Sequence, residues 1–202
     1  GTNWIKSISP DDIASNQWMH ITVRWDGSTI FFYVNKIEKV SKTISPFALN
    51  STKPLRIGSG KTEEIVASYN YTGSLYDFRY FNRAITTKEM DKIYLGGPPT
   101  INTRNFMNGL DHSIIFDSNR HNDQLANTTV NLYGDVPVTE DGLILTDTSG
   151  KYADFYSKTG GDNHTISMWI NIPSEQTKTS SDSYDNNIIK YANVSFQHMN
   201  YN

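Results

Sequence analysis

The sequence predicts an all-β fold: a two-sheet antiparallel sandwich with one short helix. Three observations favour this fold. The 202-residue chain has 37% hydrophobic, 19% charged and 12% aromatic residues, which is typical of a β-rich domain with a polar surface. Short runs of β-branched and aromatic residues recur along the chain. Turn residues separate these runs at short intervals.

The first strands form a predicted meander. Residues 18–25 (WMHITVRW) alternate as a strand does when one face meets a core. Asp26-Gly27 then indicates a turn, and residues 29–35 (TIFFYVN) form the second strand. Asn35-Lys36 marks the next turn. The later predicted strands of this half are residues 37–44, 54–58 and 73–81.

Strict alternation in the last of these strands predicts which side chains share a face. It places Tyr76, Phe78 and Tyr80 on one face. The opposite face would then carry Leu75, Asp77, Arg79 and Phe81.

One helix is predicted, over residues 86–95. Thr86 and Glu89 have the spacing of a capping box, and Ile85 and Met90 that of a hydrophobic staple. The run 96–99 (GGPP) ends the helix.

The second half follows a predicted linker over residues 96–108, which is rich in Gly, Pro and Asn. The composition of residues 173–187 (PSEQTKTSSDSYDNN) predicts a polar surface loop. The predicted strands of this half are residues 113–116, 129–132, 143–146, 152–156, 165–172, 188–191 and 194–199.

Two segments of the first half resemble laminin-G-like domains of the concanavalin A-like lectin and glucanase superfamily. They are residues 17–35 (QWMHITVRWDGSTIFFYVN) and residues 73–94 (GSLYDFRYFNRAITTKEMDKIY), with PLRIG between them. This stretch resembles the end of such a domain, except that Lys36 stands where the family prefers glycine. In the second half, SIIFDSNRHND and HTISMWIN resemble its beginning. The resemblance implies that the two-sheet sandwich is a concanavalin A-like jelly roll.

The two halves are therefore in swapped order relative to the family. We expect residues 1–202 to form a single sandwich closed from two halves, 1–95 and 109–202, with 96–108 as the linker between them. Two explanations stay open, a circularly permuted domain and a slice across the boundary of a tandem array.

Composition and motifs exclude several classes of function. A net charge of −3 indicates no nucleic-acid surface. No apolar run is long enough for membrane insertion, and the absence of cysteine excludes disulfides and thiolate metal sites.

We predict no catalytic residues. A glucanase of this superfamily would need carboxylates on alternate residues of one strand, whereas Asp11-Asp12 and Glu63-Glu64 are adjacent pairs. The five histidines are not spaced as metal ligands. The chain is therefore predicted not to be an enzyme.

Calcium is the cofactor that the sequence favours. Asp117, Asn119, Asn122 and Asp123 concentrate oxygen donors in one loop. The resemblance supports a metal there, because related domains bind calcium in such loops. The alternative is an Asx-rich turn whose side chains cap their own backbone. Residues 182–187 (DSYDNN) are a weaker second candidate.

Aromatic residues are the candidate ligand contacts. Trp4 and Tyr184 are predicted to be exposed and to bind the ligand, whereas Trp18 and Trp169 match core positions of the family. By the same resemblance, Asp77 and Arg79 would brace the sandwich with an internal ion pair.

The resemblance implies a non-catalytic recognition or adhesion module, with glycan as the first ligand class and a surface protein as the other partner. It would belong to an exported protein on a cell or virion surface. One alternative is a structural spacer or decoration module of a repetitive assembly such as a virion or fibre, next to copies of itself. A glycan-active enzyme is the third hypothesis.

Overall fold

In a computed structural model, the described residues are 14–43, 54–59, 71–96, 108–118, 120–125, 127–146, 150–156, 163–173, 186–191 and 194–198. Within them lies one α-helix, α1 (Thr87–Leu95). The strands before it are β1 (Trp18–Trp25), β2 (Thr29–Val34), β3 (Ile37–Thr43), β4 (Leu55–Ile57) and β5 (Gly73–Phe81). The strands after it are β6 (Leu110–Ile114), β7 (Asn131–Tyr133), β8 (Val138–Thr139), β9 (Gly142–Leu145), β10 (Tyr152–Phe155), β11 (His164–Asn171), β12 (Asn186–Tyr191) and β13 (Val194–His198). The predicted all-β fold with one short helix is confirmed.

The strands form two antiparallel sheets. In the described part of the chain, sheet A has eight strands in the order β3-β2-β1-β11-β5-β9-β8, with β6 pairing with β5. Sheet B has the order β13-β12-β4-β10-β7. Strands from both sides of the predicted linker are interleaved, because β11 lies between β1 and β5, and β4 lies between β12 and β10. The domain bounds and the swapped order of the halves stay predictions.

The core lies between the inner faces of the two sheets. From sheet A, Met19 and Ile21 are buried in it, and sheet B contributes Leu55 and Ile57. The rings of Phe78 on β5 and Phe155 on β10 meet across the interface, with centroids 5.5 Å apart. Burial of each large apolar side chain contributes about 1.5–3 kcal/mol, so this interface is the main source of stability.

The alternation predicted for β5 is wrong at one point. Leu75 and Phe78 both face the core, although three positions separate them. Asp77 has a φ of 50°, and the pairing with β11 shifts register between Ser167 and Trp169. This is a β-bulge, whose extra residue changes the phase of the strand. Leu75 therefore lies on the opposite face from Arg79.

Helix α1 packs on the outer face of sheet A. The predicted capping box is present, because Glu89 N donates to Thr86 Oγ1 and Thr86 N donates to Glu89 Oε2. Ile85, Met90 and Ile93 are buried against the sheet. No helix among the described residues has the length and apolar character needed to cross a bilayer.

Candidate functional site

The outer face of sheet B carries the candidate site. Alternation along β10 sends Ala153 and Phe155 into the core, so Tyr152 and Asp154 lie on the other side of the strand. The same alternation on the neighbouring strands completes the surface. We call it the tyrosine face, and it consists of Arg56, Asn131, Tyr133, Tyr152, Asp154 and Tyr156.

A polar row crosses the middle of the tyrosine face. Asp154 lies opposite Arg56 of β4 on one side and opposite Asn131 of β7 on the other. The Asn131 side-chain amide donates to Asp154 Oδ1 at 3.1 Å. Arg56 and Asp154 are buried and Asn131 is half-buried. The row is therefore an ordered support that reaches solvent at its Asn131 end.

Tyrosines flank this row. Tyr133 and Tyr152 are opposite each other in the β7–β10 pair, and their rings stack with centroids 4.4 Å apart. The Arg56 guanidinium lies 4.1 Å from the centre of the Tyr152 ring. Tyr133 is 39% exposed and Tyr156 59% exposed. Partial burial, and then the nearby Asp154 carboxylate, raise the pKa of the Tyr133 phenol.

The chemistry of the tyrosine face suits binding. Exposed phenol rings offer flat apolar surface together with a hydroxyl, and Asn131 adds an amide. Asp154 is the single carboxylate among the residues that define the face. Acid–base hydrolysis of a glycoside requires two facing carboxyl groups, so this face favours recognition over cleavage.

A serine and a histidine also come together, under α1. His20 Nε2 and Ser167 Oγ are 2.8 Å apart. Both residues are fully buried, and the Tyr94 ring of α1 lies 5.9 Å from the His20 ring. Burial, with a smaller contribution from Arg79, lowers the pKa of His20 to about 3. The pair is part of the packing beneath the helix, because a substrate cannot reach it there.

In the predicted calcium loop, Asp117 is already bound to protein groups. Its Oδ2 accepts from Arg120 Nε at 2.9 Å and also binds the terminal nitrogen Nη2 of the same guanidinium. The two residues exchange backbone hydrogen bonds as well, at 2.8 and 2.9 Å. Asp117 and Arg120 therefore close a tight turn.

The Asp123 carboxylate already has three hydrogen-bond partners. Its Oδ2 meets His112 Nδ1 at 2.8 Å, and its Oδ1 accepts from Ser113 N at 3.0 Å and Leu125 N at 3.1 Å. Burial opposes the charged form, but these bonds outweigh it, so the pKa of the Asp123 carboxyl is lowered. This carboxylate holds the loop against β6.

These contacts fit a calcium ion only in part. Asp117 and the exposed Asn122 side chain are the described groups that could turn towards a metal, and Asn119 lies outside the described residues. Among the described residues, no group of three or more His, Cys, Asp or Glu side chains is arranged to hold a metal. Calcium binding here stays a prediction, and it requires Asp117 to exchange Arg120 for the ion.

The other predicted contacts are distributed as follows. Trp4 and Tyr184 lie outside the described residues, as does most of the loop 182–187, whose last two residues begin β12. Trp169 is buried, but beneath α1 and stacked on Tyr94 at 5.6 Å rather than between the sheets. Trp18 is half-buried at the start of β1.

The internal ion pair expected between Asp77 and Arg79 is present. Arg79 Nε and Nη2 donate to the two carboxylate oxygens at 2.8 and 2.7 Å, and both side chains are buried. Because neither group is accessible to a ligand, the pair serves the structure.

Sequence reasoning missed the tyrosine face, although one signal for it was available. In residues 152–156 (YADFY), Tyr, Asp and Tyr recur at alternate positions. That spacing places them on one face of a strand. The partners on β4 and β7 could be assigned only with the register in hand, because neither strand is a neighbour of β10 in the chain.

The comparisons with known proteins each match about half of this chain. Residues 1–91 match a laminin G model described as the concanavalin A-like lectin/glucanases superfamily. Mouse usherin is 26% identical over 97 residues, which cover 47% of this chain and 2% of usherin. The chain thus corresponds to a small fraction of that relative. No solved structure gives a significant match. The resemblance to this superfamily is confirmed by the match over residues 1–91, whereas the resemblance of the second half to the beginning of such a domain stays a prediction.

Proposed function

From the match of residues 1–91 to the concanavalin A-like lectin/glucanases superfamily, we propose a non-catalytic recognition or adhesion module that binds glycans through the tyrosine face. The laminin G type of the matching model supports a place outside the cell, on an exported or surface-displayed protein. Because a fold hosts many functions, the ligand class has to be argued from the site.

The exposure of Tyr133 and Tyr156 beside an ordered polar row carries this proposal. Sugar rings present apolar C–H faces that stack on aromatic rings, and hydroxyl groups that pair with amides. Stacking on Tyr152 and the bond from Asn131 to Asp154 hold the neighbouring groups in place. Such order before binding reduces the entropy lost on association.

The non-catalytic part of the proposal rests on where the acid–base groups lie. On the tyrosine face, Asp154 is buried and lacks a second carboxylate among the residues that define the face. The His20–Ser167 pair is enclosed beneath α1. Neither arrangement offers a substrate both an acid and a base.

A glycan array with four proteins tests the binding function. The wild type is expected to bind a defined group of glycans, and Tyr133→Ala and Tyr156→Ala are each expected to weaken that binding roughly tenfold, about 1.4 kcal/mol. Leu95→Ala is the matched control, because Leu95 is 75% exposed at the end of α1, on the other sheet. Its binding should equal that of the wild type.

Three other outcomes would contradict the position of the site, the absence of catalysis or the binding function. Full binding by both tyrosine variants would move the site away from the tyrosine face. Shortened glycans after incubation, detected by mass spectrometry, would show an enzyme. A wild type that binds no glycan but self-associates in sedimentation velocity would favour the alternative, a spacer or decoration module of a repetitive assembly.

A further inference from the structure

The spacing of the tyrosines along β10 indicates the length of the ligand. Tyr152, Asp154 and Tyr156 follow one another at alternate positions of β10 and its continuation. Alternate residues of a strand are about 6.7 Å apart, so the backbones of Tyr152 and Tyr156 are roughly 13 Å apart. This distance exceeds the width of one pyranose ring, and the polar row lies between its two ends.

The two exposed rings lie on different sides of this row. Tyr133 stacks on Tyr152, so it lies on the side of the row where β10 begins. Tyr156 follows the last residue of β10. A ligand that contacts both rings must therefore cross the row, and Asn131 is the half-buried row member that it would meet.

The charges of the tyrosine face indicate whether its ligand is charged or neutral. Arg56 carries the positive charge and Asp154 the negative charge, and the two are opposite each other in register. Both are buried, and the groups that reach solvent are the phenols and an amide. Lys190 of β12 lies opposite Arg56, at the end of the row away from Asn131. A sulphated or carboxylated sugar would require exposed cations between Tyr133 and Tyr156, which the residues that define the face do not supply.

We propose that the ligand is an uncharged oligosaccharide of at least three rings, which follows the direction of β10 with one ring on Tyr133 and another on Tyr156. This inference rests on the proposed function and adds to it the length and charge of the ligand. These two rings stack on one tyrosine each, and the part of the ligand between them passes over the row at Asn131.

Isothermal titration with defined sugars tests the inference. The neutral probes are cellotetraose, mannotetraose, chitotetraose and a β-linked galactotetraose, each compared with its monosaccharide. A heparin tetrasaccharide is the acidic probe. For at least one neutral series we expect the tetrasaccharide to bind at least about tenfold more tightly than the monosaccharide. Its affinity should not change between about 50 and 500 mM NaCl, because charge attraction contributes little.

Variants connect this length dependence to the two rings. Tyr133→Ala or Tyr156→Ala should reduce tetrasaccharide affinity to that of the monosaccharide, since one ring is then left without its platform. Tyr156→Phe is the control that keeps the stacking surface, and it should keep most of the length dependence. A loss with Tyr156→Phe equal to that with Tyr156→Ala would contradict stacking as the cause.

The remaining outcomes separate this inference from the proposed function. Equal affinity for monosaccharide and tetrasaccharide would overturn the extended ligand and leave glycan binding intact. Tightest binding to the heparin tetrasaccharide, weakened by salt, would overturn the uncharged ligand and also leave glycan binding intact. Binding to none of the probes, together with a negative glycan array, would overturn both.

Discussion

At the scale of single residues, Lys36 has an unfavourable backbone conformation. Asn35 and Lys36 form the turn between β2 and β3 with φ values of 48° and 63°. Positive φ at both central residues defines the hairpin turn that matches strand twist, and its second position favours glycine. A left-handed conformation costs a residue other than glycine about 1 kcal/mol. Surface contacts partly offset this cost, since Lys36 Nζ lies 3.7 Å from Asp91.

Lys36→Gly is therefore expected to stabilise the protein. The relief of backbone strain should exceed the loss of an exposed ion pair, which contributes less than about 1 kcal/mol. Urea unfolding should show a higher midpoint at an unchanged slope. Lys36→Ala is the matched control, because it removes the same contacts and keeps the strain, so its midpoint should fall. A fall with glycine as large as that with alanine would contradict the strain argument.

Two buried histidines make the stability depend on pH. Burial lowers the pKa of His164 to about 4, and that of His20 to about 3 with a smaller contribution from Arg79. Unfolded histidine titrates near pH 6.5. The unfolded chain therefore binds these protons first as the pH falls, and stability is lost from about pH 6.5 down to the folded values. At pH 5 the loss is about 2 kcal/mol for each histidine.

This prediction is tested by urea unfolding of the wild type and of His164→Phe at pH 7 and pH 5. The variant keeps a ring beside Tyr80, on which His164 stacks at 6.1 Å. Whatever its stability at pH 7, its loss between the two pH values should be smaller than that of the wild type by about 2 kcal/mol. An equal loss in both proteins would rule out His164 as a source of the acid sensitivity.

At the scale of elements, the loop from Asp117 to Leu125 decides whether calcium binds. Arg120 competes with the ion for Asp117, whereas Asp123 is already held by His112 and two backbone amides. We propose that calcium binds weakly to the wild-type loop and more tightly once Arg120 is removed. Arg120→Ala leaves the Asp123 contacts untouched.

Melting temperatures in EDTA and in calcium measure this directly. Binding to the folded state stabilises it in proportion to the logarithm of ligand concentration. The calcium-induced rise should be larger for Arg120→Ala than for the wild type, and Asp117→Asn should abolish it. If no protein responds to calcium, the predicted metal site is wrong, and the Asx-rich turn is the correct interpretation.

The elements also show how far the sequence could predict this protein. The helix and most strands were predictable, because capping at Thr86 and Glu89 and alternation in β1 are local patterns. The bulge at Asp77 was not, since its extra residue is defined by the pairing of β5 with β11. The same holds for the site. Tyr152 and Tyr156 share a face by local spacing, but Arg56 and Asn131 join them only through long-range register.

At the scale of the whole molecule, the interleaving of the strands predicts that neither half is stable alone. Residues 1–95 supply β1 and β5, and β11 from the other half lies between them in sheet A. In sheet B, β4 of the first half lies between β12 and β10 of the second half. A separated first half would have unpaired edges on both β1 and β5 and would lose the inner-face contact of Phe78 with Phe155.

Expressed alone, residues 1–95 and residues 109–202 are each expected to lack cooperative unfolding, because each loses half of the core. Mixed in equal amounts, they should recover the strand signal and the near-ultraviolet aromatic signal in circular dichroism. A single chain that joins 109–202 to 1–95 through a flexible linker should fold and melt in one transition, since only the connection changes. Two fragments that each melt cooperatively would instead identify independent units. That result would reject a single sandwich closed from two halves. It would also reject the expectation that the two halves are one domain in swapped order.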